Sequence, residues 1–189
     1  MSCLITGGYS LPCKSISGIQ AVYIAGWNGP GTTYTLGTTS QVNMNQITAF
    51  SGVTSSYAGM AGSLYYTFLQ DSEQGSFVET GNTNVTAGTS YNDQVIEITL
   101  YNPTQTLNDQ VNALMRGRWR IIILDQNGNY FLCGQVNPIN VTALAAGSGK
   151  AYGDNSGYVI TFTGKEYSLA TQVTTAAAAT VISTTIFSE

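Results

Sequence analysis

The sequence predicts a mainly β fold: one domain, a β-sandwich or half-barrel, with one flanking α-helix at about residues 107–116. Three observations predict it. Seven or eight short runs rich in Val, Ile, Tyr, Phe and Thr are separated by Gly, Asn and Pro. Only one stretch has the apolar spacing of a helix. Charged residues are 8% of the chain, against about 25% in an ordinary soluble domain, while apolar residues are 43%. With 189 residues, one domain with a sizeable core is expected.

Residues 1–18 are polar and turn-rich. The first strand is expected at Ile19–Ala25, with Ala21, Tyr23 and Ala25 on one face and Val22 and Ile24 on the other. Residues 26–44, with Asn28-Gly29-Pro30-Gly31 and a run of Thr, are expected to be a loop, and about 45–50 a short strand. Residues 51–90 are Ser/Thr/Gly/Asn-rich, with strand-like islands at Ser63–Gln70 and Ser76–Thr83. Both faces of the first island are partly apolar, where a surface hairpin would keep one face polar. The segment is therefore expected to be an inserted arm meeting a neighbour, through Tyr65, Tyr66, Phe68 and Phe77.

Asp93–Tyr101 alternates as a strand should, with Ile96, Ile98 and Leu100 on one face and Val95, Glu97, Thr99 and Tyr101 on the other. Asn102-Pro103 ends it. Leu107, Val111, Leu114 and Met115 then form a helical stripe, with Thr106 as the expected N-cap, Asp109 three residues on, and Gly117 as the stop. Arg118–Asp125 and Tyr130–Gln135 read as a hairpin around Asn127-Gly128, since both residue types tolerate positive φ. Residues 136–157 read as irregular, and Tyr158–Gly164 as another strand. The domain is expected to end near residue 168. Residues 169–189 carry no charge except Glu189, and their many β-branched residues favour an extended C-terminal arm over a helix.

Composition excludes several functions. There is no histidine, hence no Ser-His-Asp or Cys-His catalysis and no imidazole metal site. A net charge of −4 leaves no basic patch able to hold phosphates. No apolar run approaches the ~20 residues of a membrane helix. The first residues lack the basic and apolar regions of a signal peptide, so the chain is not expected to enter a secretory pathway by itself, and the Asn84 and Asn140 glycosylation patterns are set aside. Cys3, Cys13 and Cys133 are too few for a disulfide framework and are expected to be reduced, mostly buried thiols.

The chemical motifs resolve to bland readings. Asp71 and Glu73 share a strand-like spacing, but acidic residues at a loop tip are usually solvated. Asp125–Asn129 begins like a calcium loop, yet Tyr130 and Val136 stand where that loop needs Gly and a bidentate Glu. Gly147–Ala151 resembles a phosphate loop but has Leu144 in place of its first Gly and Ala151 in place of its Ser/Thr. Arg116, Arg118 and Arg120 hold half of the positive charge and are expected to form salt bridges to a neighbouring subunit. No catalytic, cofactor-binding or metal-ligating set is expected.

The order of these features resembles a family. A Cys-containing start with Gly-Tyr-Ser-Leu (residues 8–11) leads to Gly-Ile-Gln-Ala-Val-Tyr-Ile (18–24). A strand, the helix, the Asp125–Cys133 hairpin and a Gly-rich segment follow, and then Lys150-Ala-Tyr-Gly-Asp-Asn-Ser-Gly-Tyr-Val-Ile-Thr-Phe-Thr-Gly-Lys-Glu (150–166). Over residues 1–25 and 91–167 the chain is similar to tail-tube or neck-ring structural proteins of tailed bacteriophages, those of Bacteroidetes hosts and crAss-like phages included. The resemblance implies a tail-tube-like fold and subunits assembling with themselves, often six at a time. Inner strands would join into one barrel lumen, and a long loop or hairpin would reach a neighbouring ring or other tail and neck proteins. It implies a virion component without enzymatic activity, assembled in the host cytoplasm, through which DNA passes unbound. In that frame the second face of strand 93–101, with Asp93, Glu97 and Thr99, is expected to face the lumen. The alternatives are another phage structural role (head decoration, connector completion or fibre base) and a glycan-binding β-domain using Tyr and Trp.

Overall fold

The computed structural model describes residues 15–27, 33–36, 46–51, 65–151 and 154–182. The protein is mainly β, and the strands among the described residues form two sheets.

The larger sheet has seven strands. Four come early: β1 (Ile19–Gly26), β2 (Thr33–Leu36), β3 (Ile47–Ser51) and β4 (Tyr66–Leu69). β7 (Trp119–Asp125), β8 (Tyr130–Cys133) and β11 (Thr171–Val173) complete it, in the order β2-β3-β11-β8-β7-β1-β4. The smaller sheet is fully antiparallel: β5 (Ser76–Asn84), β6 (Thr89–Tyr101), β10 (Gly157–Glu166) and β9 (Asn140–Gly147), in the order β5-β6-β10-β9.

The two sheets sandwich the main core. Val22 and Ile24 of β1 and Ile121 and Ile123 of β7 face Ile96, Ile98 and Leu100 of β6 and Tyr158, Ile160 and Phe162 of β10. The strands of the smaller sheet cross those of the larger. Along β5 and its approach, Gly75 lies against Ile19 of β1, Phe77 against Phe131 of β8, and Glu79 accepts the Ala170 N–H just before β11. Such crossing is one of the two ways in which sheets pack face to face.

Helix α1 (Gln105–Arg116) closes the β9 side of this sandwich, burying Val111 and Leu114. It starts two residues earlier than the sequence reading. Thr104, not Thr106, is the N-cap, and its hydroxyl accepts the Leu107 N–H. Asp109 instead receives the side chain of Gln105. Gly117 does stop the helix, but with an extended backbone rather than a left-handed one. Glycine is needed there because the Trp119 indole lies where a Cβ would stand, while its N–H donates to the Leu114 carbonyl.

The larger sheet is also covered on its other face. Ala21, Tyr23, Ile122, Leu132 and Val173 pack there with Tyr65 and with helix α2 (Thr175–Val181), which presents Ala177, Ala178 and Val181. The expected extended C-terminal arm is thus β11 followed by α2. The β-branched residues do not prevent this helix because they sit at its ends. Thr174 is the N-cap, Thr175 opens it, and the Thr180 hydroxyl donates to the Ala177 carbonyl. Residues 183–189 lie outside the described part, as do Cys3 and Cys13. Cys133 is a buried free thiol, pushed above its ordinary range by burial and by the nearby Glu79 and Glu166.

Three further expectations are corrected. The supposed loop 26–44 contains β2, paired with β3. The supposedly irregular 136–157 contains β9, an edge strand of small residues whose pairing with β10 shifts register between Thr161 and Phe162. The segment 51–90 is not an insertion as a whole. β4 pairs with β1, and the first half of β5 is integral to the smaller sheet. What projects is the end of the β5–β6 hairpin, where Thr89–Tyr91 pair only with Asn82–Asn84, past the last β10 partner at Asn92.

Candidate assembly surfaces

Among the described residues nothing covers the middle of the smaller sheet's outer face, no strand pairs with the outer edges of β5 and β9, and α1 packs along β9. The centre of that face pairs Thr163 with Val95, Thr161 with Glu97, and Lys165 with Asp93, while β5 sets Val78 opposite Val95. Its charges are Asp93, Glu97 and Lys165, one net negative charge. Lys165 Nζ lies 2.7 Å from Asp93 and 4.5 Å from the centre of the Tyr91 ring. That carboxylate, first of all, holds the Lys165 amine above its usual range. Asp93 also accepts from Asn82 Nδ2 at 2.7 Å.

The three residues expected to line a lumen therefore differ. Glu97 is exposed on the outer face. Asp93 is on that face but already paired. Thr99 is withdrawn from it: it is 6% exposed, its hydroxyl donates to the Gln74 carbonyl and its N–H to Gln70 Oε1. The chain leaving β4 folds over the end of β6 and covers it.

The expected interface arm is likewise divided. Tyr65 is 1% exposed and belongs to the core beneath α2; burial pushes its phenol well above the ordinary range. It is not available to a neighbour. Tyr66 is half-buried. Phe68 and Phe77 pack against the main core from its margins.

Of the three arginines, Arg116 and Arg118 are exposed, and neither side chain has a partner among the described residues. Arg120 is 5% exposed. Its guanidinium donates to the carbonyls of Gly134 and Gln135 and lies 4.6 Å from the centre of the Trp27 ring. The intersubunit reading of Arg120 is thereby corrected. A buried guanidinium needs several acceptors, and the turn after β8 supplies them. On the same turn the buried Glu166 carboxylate accepts the N–H groups of Val136 (2.7 Å) and Asn137 (2.8 Å). One cation takes the carbonyls and one anion takes the amides of the crossover between the two sheets. Sequence reading missed this because the partners are backbone atoms, which leave no pattern.

The other motifs carry no site. Asp71 Oδ1 caps the Ser72 N–H in a tight turn, and Glu73 has φ of 66°. Asp125 accepts the N–H groups of Asn127 and Asn129, at 2.9 and 2.7 Å, inside its hairpin. Within that turn Gly128, not Asn127, has positive φ. The amides of Lys150 and Ala151, which a phosphate loop would offer, both donate to Asp154 Oδ2 at 2.8 Å. Among the described residues no group of three His, Cys, Asp or Glu is placed to hold a metal, and no helix is long and apolar enough to cross a membrane.

Two features remain. A groove runs beneath β5 between the sheets, with Ile19, Phe77, Ile123 and Phe131 on its floor and with Glu73, Glu79 and Asp125 as its charged residues. Among the described residues no Lys or Arg lines it. The hairpin end is polar and exposed, its turn held by Asn84 Oδ1 accepting the Ala87 N–H, with Val85 at the tip. No family model, curated protein or solved structure matches the chain.

Proposed function

We propose that the protein is a virion structural subunit of the phage tail-tube or neck-ring kind, which closes with copies of itself into a ring that DNA traverses. The observation that carries this reading is the smaller sheet. Its two edges, β5 and β9, are nine and eight residues long. Free edges are usually blunted by lysine, proline or a covering element. Neither strand contains Lys, Arg or Pro, and β5's single charge, Glu79, is turned inward to Gln94 and Ala170.

Four antiparallel strands make the two edges run in opposite directions. β9 of one copy then meets β5 of the next in antiparallel pairing, and the alternation continues from copy to copy. Such a contact joins unlike surfaces, and repeated about one axis it makes a ring when the rotation closes. Six copies would give roughly 24 strands. At ~4.8 Å spacing the wall is about 115 Å round and about 37 Å across before strand tilt widens it. The free face would form the wall. One net negative charge per copy, among hydroxyls and small apolar groups, gives phosphate nothing to bind.

The test is size-exclusion chromatography with negative-stain imaging of the purified chain. Rings are expected. Ala143→Lys with Ala145→Lys, both exposed on β9, should give a folded monomer whose unfolding midpoint matches that of the dissociated wild-type subunit. A wild-type chain that stays monomeric at high concentration would overturn the proposal.

A further inference from the structure

The two sides of the sandwich are unlike, and they are complementary. On the β9 side stands α1, with Met115, half exposed at 50%, and the exposed Arg116 in its last turn and the exposed Arg118 just beyond its stop. On the β5 side lies the groove with an apolar floor, three carboxylates and, among the described residues, no basic group. Glu73 at its rim has no side-chain partner among the described residues. Ile16 at its end is 70% exposed. One side thus offers an exposed thioether beside two cations that have no partner among the described residues, and the other offers an apolar cleft beside carboxylates.

We infer that the end of α1 in one copy docks into the groove beneath β5 of the next. Met115 covers the Phe77–Phe131 pair, and Arg116 and Arg118 meet the acidic rim at Glu73. This rests on the head-to-tail reading above, and it adds a second seam to the one that β9 and β5 make. α1 packs along β9, at the opposite edge of the four-stranded sheet from β5, so the same rotation that brings β9 to β5 brings α1 to the groove. Methionine suits such a cleft because its unbranched side chain adapts to irregular aromatic walls. The arginines set the register of the contact and speed encounter, as complementary charges do across interfaces.

The experiment is directed cross-linking in a Cys3→Ser, Cys13→Ser background, where the remaining Cys133 is buried. Met115→Cys and Ile16→Cys are placed together in one chain, and a short bismaleimide is added. The expected result is a ladder from dimer to closed ring. Each single variant alone should give no cross-link, and a mixture of the two single variants should give dimers only. Oligomers on chromatography without the Met115–Ile16 cross-link would overturn this docking while leaving the edge-pairing reading intact. Cross-links within a single variant would overturn it too, because they would mean like faces meeting. Absence of any oligomer would overturn both. In parallel, Arg116→Glu with Arg118→Glu should weaken assembly about tenfold at low salt, and Glu73→Lys in the same chain should restore it. Loss without restoration would overturn the assignment of the rim.

Discussion

Leu114→Ala tests whether α1 belongs to the core of the subunit or only to a contact between subunits. Leu114 is buried at the end of α1, which packs on β9, in the core cluster that Val141 and Leu144 of β9 also join. Truncation to Ala removes three carbons. At ~0.8 kcal/mol for each buried methylene, the lost transfer energy is about 2.4 kcal/mol. A cavity term adds to it, and measured Leu→Ala changes in cores span about 2.7–5 kcal/mol. α1 lies at the side of the sandwich and has only one buried stripe, so it can settle toward β9 and close part of the cavity. The expected loss is therefore about 3 kcal/mol. With an m-value of about 2 kcal/mol/M in urea for a small protein, the unfolding midpoint should fall by about 1.5 M. The measurement belongs on the dissociated subunit, since assembly would add its own stabilisation. Met115→Ala, one residue further and on the exposed face, should change stability by less than about 0.5 kcal/mol. A loss below about 0.5 kcal/mol for Leu114→Ala, or equal losses for the two, would refute the placement of the stripe.

Three other outcomes are expected. Hydrogen bonds from Asn129 and Asn127 hold the Asp125 carboxyl below its usual range, outweighing the desolvation that raises it. The unfolded chain then binds the extra proton first, so this contribution is full above the unfolded pKa of ~3.9 and is lost as pH falls through the folded value. Asp125→Asn should accordingly flatten the acid limb of a stability-against-pH curve below about pH 4, and an unchanged limb would refute it. Gly157→Ala would bring a Cβ to 1.9 Å from the Leu100 carbonyl oxygen, forcing β10 from β6; a loss of about 3 kcal/mol is expected, and a thermal midpoint within a degree of wild type would count against the register. Glu97→Lys should leave rings intact but make them retain double-stranded DNA in filter binding at low salt, with the retention gone at about 1 M salt. Equal retention by wild-type and variant rings would remove Glu97 from the wall.

What the sequence shows clearly is what repeats along it. β6 and β10 have large apolar residues at alternate positions, β1 and the β7–β8 hairpin have continuous β-rich apolar runs bounded by turn residues, and each strand falls close to where those signals put it. α1 follows from its four apolar residues, although its start depends on Asn102 (φ 56°) and Pro103, which place Thr104 as the cap. β9 has only Val141 and Leu144 facing inward, three apart because of the shift opposite Thr161 and Phe162, so neither the strand period nor a helix period stands out. α2 was hidden by its threonines and is made by tertiary burial of Ala177, Ala178 and Val181. The protein's surfaces leave a weaker trace in the sequence than its strands do. Alternation correctly separates Glu97 from Ile96 and Ile98, but it cannot show that Gln70 and Gln74 fold back over Thr99, nor that Arg120 is enclosed by Trp27 and the turn after β8. Exposure depends on what distant chain covers a residue, and covering leaves no period.

The hairpin end beyond β10 gives any closed assembly a direction. It extends three residue pairs past Asn92 before its turn, about 10 Å at the rise of an antiparallel strand, and it leaves the sheet at one end only. Rotation about a ring axis never inverts a subunit, so every copy would send its hairpin out of the same rim. One rim would be crowned with Asn, Thr and Val85, while the other would present the ends of β5, β9 and β10 near Ser76, Gly147 and Gly157. A stack of such rings has a front and a back, grows by mating unlike rims, and meets a blunt partner at one end and a crowned one at the other.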